Sequence, residues 1–144
     1  MFKVYIDQGV DQPKIKSLSK EYKFQIVQAH STEKKIAGAR SIARPFTIGV
    51  SLLDGTDKIA DENIHTVNSI IGKNNRADIT HIYSAYMEPN CRYFVTNNPK
   101  DFIYESKRVK HSHKKRIDLE KSLPNLKIFT LKEFETELKK GNHE

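Results

Sequence analysis

Acidic and amide side chains stand at the ends of several predicted elements, and they are the residues best suited to chemistry. Asp7 ends a first predicted strand (FKVYI), and Asp78 lies in the first turn of a predicted helix, where the helix dipole favours a carboxylate. A further predicted strand, CRYFVT (91–96), runs into Asn97 and Asn98. Ligands of α/β proteins bind at the carboxyl edge of the sheet, so polar side chains gathered there indicate a site. Asp7 alone leaves two interpretations open, a metal ligand and a loop aspartate or helix cap.

A second strand-to-helix junction repeats this arrangement. The run KFQIVQA predicts a strand, and Ser31 then predicts the N-cap of a helix that continues towards Ala43 and ends before Pro45. Glu33 would lie in the first turn of that helix, as Asp78 does in its own. Two such junctions at one sheet edge would bring both carboxylates together.

The elements that must position these side chains alternate between strands and helices along the chain. Ile79, Ile82, Tyr83 and Tyr86 have the spacing of an amphipathic helix. The other predicted elements are a helix from an Asp11 N-cap to Tyr22, helices at 61–71 and around 118–122, a strand at 126–130, and a last helix from Lys132 to about Lys139. Residues 46–53 could form a third strand or a buried turn. This alternation predicts a three-layer α/β/α sandwich with a central, mainly parallel sheet.

Length and composition fit one cytoplasmic domain. A chain of 144 residues suits a single domain, which we place at residues 1–140 with a short polar tail at 141–144. Its apolar runs are far shorter than the roughly 20 residues needed to span a membrane. The single cysteine, Cys91, excludes an internal disulfide and lies in a predicted strand, which favours a buried, inert thiol.

Basic residues outnumber acidic ones and give a formal net charge of +7. This excess favours a polyanionic partner such as RNA, but lysines that keep the protein soluble explain it equally well. The segment SKRVKHSHKKR (106–116) contains no acid and could be a phosphate-contacting surface or a solvated loop. Its basic residues are Lys107, Arg108, Lys110, Lys114, Lys115 and Arg116.

Two segments resemble a known family. The strings ADITHIYSAYMEPNCRYFVTNNPKDF (77–102) and LEKSLPNLKIFTLKEF (119–134) are similar to the carboxy-terminal half of a PIN-domain nuclease. In that family an aspartate opening a helix precedes a strand of the form YFVTND, and a late strand leads into an EEF-type helix. The resemblance implies a PIN-like α/β/α sandwich and a Mg²⁺- or Mn²⁺-dependent ribonuclease. It also implies RNA as substrate, and the toxin role, antitoxin-like protein partner and homodimer that occur among such proteins.

The resemblance also implies a set of site residues. The first-strand acid of the family matches Asp7, the second acid best matches Glu33, and the helix-opening acid matches Asp78. The fourth acid falls on Asn98, which departs from the family pattern. Asp101 lies three residues later and is either a further metal ligand or a capping residue. The implied catalytic set is therefore Asp7, Glu33, Asp78 and Asn98, and the implied metal ligands are Asp7, Asp78, Asn98 and Asp101.

The chemistry of phosphodiester hydrolysis explains this set. Hard divalent cations bind oxygen ligands, and clustered carboxylates repel one another until a cation binds. Asn98 supplies only a neutral oxygen, so the implied site would hold a metal more weakly than four acids would. The leading hypothesis is a metal-dependent endoribonuclease, and the alternative is a catalytically impaired PIN-like domain that binds RNA or a protein. A phosphoacceptor domain would need a pair of acids closing the first strand, where Gln8 follows Asp7.

Overall fold

The described strands form one sheet in which every neighbouring pair is parallel. A computed structural model describes residues 1–7, 9–29, 38–42, 66–67, 69–72, 76–104 and 113–141. The strands are β1 (Lys3–Ile6), β2 (Gln25–Ala29), β3 (Arg40–Ile42), β4 (Cys91–Thr96) and β5 (Lys127–Thr130), in the order β3-β2-β1-β4-β5. The helices are α1 (Gln12–Tyr22), α2 (Arg76–Met87), α3 (Pro99–Phe102), α4 (Lys114–Ser122) and α5 (Leu131–Lys139), and residues 66–67 and 69–71 are also helical.

Two hydrophobic cores lie on opposite faces of this sheet. One contains Tyr5 of β1 and Phe94 of β4 together with buried residues of α2 and α4. The other contains Val4 and Ile6 of β1 together with buried residues of α1 and α5. Successive side chains of a strand point to opposite faces, so the central strands supply both cores. The predicted α/β/α sandwich with a parallel central sheet is therefore confirmed.

Local signals in the sequence account for several elements. Asp11 accepts a hydrogen bond from the Lys14 backbone amide at 3.2 Å and caps α1, as predicted. The predicted strand at 91–96 has the observed bounds of β4. The predicted apolar stripe of α2 is buried at Ile79, Ile82 and Tyr83.

Two predicted boundaries are wrong. The helix predicted to continue towards Ala43 does not include 40–42, because these residues form β3 and pair in parallel with β2. Gly38, with a φ of +84°, takes the chain through a left-handed conformation just before that strand. Helix α4 begins at Lys114, four residues before the predicted start around 118, so part of the basic segment is helical.

Other predictions lie outside the described residues. These concern the strand or turn at 46–53, the beginning of the helix at 61–71, Glu33, and the end of the polar tail. Within the described ranges, no helix is long and apolar enough to cross a membrane.

Candidate active site at the carboxyl edge

The strand order reverses between β1 and β4, and the predicted site residues follow these two strands. Strand β1 leads into Asp7, and β4 ends at Thr96 and leads into Asn97 and Asn98. The Asp7 backbone amide donates to the Val95 carbonyl at 2.9 Å, so the segments that follow β1 and β4 leave the sheet side by side. In open α/β sheets the crevice beyond such a reversal is the usual ligand site.

A buried hydroxyl orients Asp7. The Thr96 Oγ1 donates to Asp7 Oδ2 at 3.1 Å, and the Asn98 backbone amide donates to the same Oγ1 at 3.0 Å. Asp7 is 6% exposed and Thr96 is fully buried. The Thr96 hydroxyl therefore links the carboxylate after β1 to the backbone after β4.

Asp78 experiences the negative charge of this edge directly. Burial raises the pKa of its carboxyl from 3.8 to about 6, with further contributions from the charges of Asp101 and Asp7 and an opposing one from Lys115. Asp7 follows β1, Asp78 lies in the first turn of α2, and Asp101 lies in the first turn of α3. The three acids come from separate segments of the chain and lie at the same edge of the sheet.

Helix α3 carries two further residues of the predicted site. Asn98 is its N-cap residue, with an exposed side chain that makes no capping hydrogen bond. Asp101 lies in the first turn, and its backbone amide donates to the Asn98 carbonyl at 3.0 Å. Asp101 is half-buried, and its charge acts on Asp78, so its position suits the ligand interpretation.

The donors at this edge suit a hard cation in their chemistry. The carboxylates, the Thr96 hydroxyl and the asparagine amides offer oxygen atoms, which Mg²⁺ and Mn²⁺ prefer. Among the described residues, no three His, Cys, Asp or Glu side chains are arranged as ligands of one metal ion. Mg²⁺ is commonly held by one or two carboxylates with water and substrate phosphates, so Asp7 and Asp78 would fit such a site without a third acid. Glu33 lies outside the described residues.

The predicted basic residues differ in their positions relative to the acids. Lys107, Arg108 and Lys110 lie outside the described residues, and Lys114 is exposed on the first turn of α4. Lys115 acts electrostatically on the acids, because its charge lowers the pKa of Asp78. Its Nζ donates to the Lys100 carbonyl at 3.1 Å, which places the ammonium beside α3.

Arg116 has a different environment from Lys115. Its Nη1 donates to both carboxylate oxygens of Glu133 at 2.9 Å, and its Nη2 donates to Nδ1 of His113 at 2.6 Å. The Arg116 side chain is only 14% exposed. These contacts give Arg116 a structural role in joining α4 to α5, and its contact with RNA stays a prediction.

Cys91 begins β4 at the opposite edge of the sheet. It is buried, and burial raises the pKa of its thiol to about 12. A thiol that stays protonated at neutral pH is a poor nucleophile, in agreement with the prediction of an inert cysteine.

Two contacts at this site were not predicted from the sequence. The contact of Thr96 with Asp7 follows from the pairing of β1 with β4, so the strand order supplies its signal. Lys115 was predicted only as one of six basic residues of a phosphate-contacting surface, and its position beside α3 depends on the early start of α4.

Comparisons of this chain with protein-family models, with curated proteins and with solved structures give no match. The assignment of the site therefore depends on its own geometry and on the resemblance stated above, which stays a prediction.

Proposed function

We propose that this protein is a PIN-like, metal-dependent endoribonuclease whose active site is the carboxyl edge between β1 and β4. The observation that carries this proposal is the position of Asp7, Asp78 and Asp101 at that edge, where burial first, and then the charges of Asp101 and Asp7, raise the pKa of Asp78 to about 6. Burial of repelling carboxylates is unfavourable unless a cation compensates them. The PIN-like sequence pattern supplies the reaction and the substrate class.

Each residue has a distinct role in this proposal. Asp7 and Asp78 hold the cation, with Asp101 and the Asn98 amide as further oxygen donors, and Thr96 keeps the Asp7 carboxylate in one orientation. Bound Mg²⁺ or Mn²⁺ would polarise the scissile phosphate and lower the pKa of a water molecule. Lys115 is positioned to attract a phosphate at the same edge. Glu33 is the proposed second acid.

One observation favours a second candidate function. Asn98 stands where the family pattern has an acid, and its amide adds no negative charge to hold a cation. A PIN-like domain with impaired cleavage that still binds RNA or a protein partner would accommodate this residue. The cytoplasmic location, the toxin role and the antitoxin-like partner remain predictions on this reading as well.

Cleavage of a mixed RNA pool tests the proposal. The wild-type protein is assayed with Mn²⁺, with Mg²⁺ and with a chelator, beside Asp78→Asn protein purified identically. Glu21→Gln is the matched control, because it also removes one negative charge but lies in the last turn of α1 and is exposed. We expect cleavage only with metal, full activity in Glu21→Gln, and a loss of at least about 100-fold in Asp78→Asn, more than a supporting residue gives.

Other outcomes separate the two functions. Metal-independent cleavage, or equal cleavage by wild type and Asp78→Asn, would contradict a metal-dependent site at this edge. Absence of cleavage by the wild type, together with saturable RNA binding, would favour the impaired domain.

A further inference from the structure

Strand β1 presents alternate residues to the two faces of the sheet, and the odd-numbered ones face α2. Tyr5 belongs to the core that contains the buried residues of α2, whereas Val4 and Ile6 belong to the opposite core. Lys3 shares the face of Tyr5, because side chains two residues apart in a strand point the same way. Asp7, the residue after β1, meets Thr96, which lies two residues after Phe94 on the same face of β4.

Two hydrogen bonds join this face of β1 to α2 and the residue that follows the helix. Lys3 Nζ donates to Glu88 Oε1 at 2.9 Å, and Glu88 directly follows the last residue of α2. Nearer the carboxyl edge, the Tyr5 hydroxyl lies 2.6 Å from Nδ1 of His81. Helix α2 therefore runs antiparallel to β1.

The carboxylates Asp7 and Asp78 are the next pair along the same two elements. Asp7 lies two residues after Tyr5 in the chain, and Asp78 lies three residues before His81, about one helical turn away. The Tyr5–His81 hydrogen bond thus lies farther from the carboxyl edge than the acids, by two residues in the chain and about one turn of α2. Its two partners lie in β1 and α2, and the two acids lie at the carboxyl end of β1 and in the first turn of α2.

Tyr5 is a rigid anchor for this hydrogen bond. Its side chain is 1% exposed, and its ring stacks on Phe94 of β4 with centroids 5.4 Å apart and an interplanar angle of 10°. The sheet therefore fixes the position of the hydroxyl, and a side chain on α2 must meet it there.

We propose that Tyr5 and His81 are positioning residues of the active site, whose hydrogen bond holds α2 at the height and rotation that place Asp78 beside Asp7. This inference rests on the proposed function, because it assigns the pair a role in holding the metal ligands. Loss of a hydrogen bond that orients metal ligands without touching the metal commonly changes metal affinity by 10- to 100-fold, so the role is measurable.

Binding of Mn²⁺ to the full chain, followed through the electron paramagnetic resonance signal of the free ion, tests the inference without any activity assay. Tyr5→Phe removes only the hydroxyl and keeps the buried ring, and His81→Leu removes the bond from the other side. We expect each variant to bind Mn²⁺ about 10-fold more weakly than the wild type. The double variant should be no weaker than either single one, because both substitutions remove the same bond.

Ser19→Ala is the matched control. The Ser19 Oγ donates to the Phe24 carbonyl at 2.6 Å, the same length as the Tyr5–His81 bond, at the end of α1 on the opposite face of the sheet. Loss of that bond should lower the unfolding midpoint and leave Mn²⁺ affinity unchanged. A purely structural role for Tyr5 and His81 would give the same result as this control.

The outcomes distinguish this inference from the proposed function. Mn²⁺ affinity within twofold of the wild type in Tyr5→Phe and His81→Leu would overturn the positioning role while the metal site stands. Additive losses in the double variant would also overturn it. A wild-type protein that does not bind Mn²⁺ would overturn the metal site and the positioning role together.

Discussion

Asp78 and Glu133 lie in the first turns of two helices at the same edge of the sheet, yet their environments are opposite. Burial alone would raise the pKa of Glu133, but the Thr130 backbone amide and the Arg116 guanidinium donate to its carboxylate and bring its pKa below the ordinary value. For Asp78, burial and the charges of Asp101 and Asp7 act together and raise the pKa to about 6. One carboxylate is satisfied within the fold, and the other is surrounded by further negative charge.

This difference separates a structural carboxylate from the one that we propose to be functional. Glu133 completes the capping box of α5 with Thr130 and pairs with Arg116, so its charge contributes to the stability of the folded state. The charge of Lys115 lowers the pKa of Asp78, but it does not offset the combined effect of burial and of the charges of Asp101 and Asp7. A site that concentrates negative charge at the expense of stability is a common property of catalytic centres.

Removal of Arg116 should have the largest effect on stability. In Arg116→Ala, the half-buried carboxylate of Glu133 loses its cationic partner, and we expect the free energy of unfolding to fall by about 2 kcal/mol. Urea denaturation followed by circular dichroism measures this. Lys139→Ala removes an exposed ion pair with Glu135 on the same helix and should leave the urea midpoint almost unchanged, because solvent screens such a pair. Equal losses in the two variants would show that the Arg116–Glu133 pair is not structural.

An added acid at Asn98 should increase the difference between the environments of Asp78 and Glu133. Asn98→Asp restores a carboxylate at the position where the family pattern has one, and we expect Mn²⁺ affinity to rise about 10-fold, or about 1.4 kcal/mol. The same change at Asn125, in the turn before β5, should leave the affinity unaltered. Unchanged or weaker Mn²⁺ binding in Asn98→Asp would place Asn98 outside the metal site.

Neutralisation of Asp78 should stabilise the metal-free protein. A group whose folded-state pKa is raised contributes stability below its unfolded pKa and loses it as the pH rises through the folded value. The rise from 3.8 to about 6 corresponds to at most about 3 kcal/mol at neutral pH, and partial exposure reduces our expectation for Asp78→Asn to about 1 kcal/mol.

The pH dependence of this gain checks its cause. At pH 7.5 in a chelator, Asp78→Asn should unfold at a higher urea concentration than the wild type, and the difference should disappear below about pH 4. A variant that is less stable than the wild type at pH 7.5 would mean that Asp78 already has a compensating partner.

The sequence predicted the fold well where periodicity and breakers agree. The apolar spacing in 79–86 and the β-rich run before Asn97 and Pro99 predicted α2 and β4, and the alternation of elements predicted a parallel sheet. Strand β3 was missed, because a three-residue strand has too short a pattern to outweigh the helical reading of the segment before it.

Only part of the site was predicted from the sequence, and the reason is physical. The two strand-to-helix junctions predicted that Glu33 and Asp78 meet at one sheet edge, but Glu33 lies outside the described residues. The resemblance alone implied that Asp7 and Asp78 belong to one site. The contacts of Thr96 with Asp7 and of Tyr5 with His81 join residues far apart in the chain. Such contacts depend on strand order and register, which local patterns do not specify.

The most direct test of the site is the titration of the Asp78 carboxyl by carbon-13 nuclear magnetic resonance, with and without Mg²⁺. Without metal we expect a midpoint near pH 6. With saturating Mg²⁺ the midpoint should fall well below this value, because a bound cation favours the charged carboxylate. Glu133 is an internal control whose titration should not change. An Asp78 midpoint that Mg²⁺ leaves unaltered would contradict a metal site at the edge between β1 and β4.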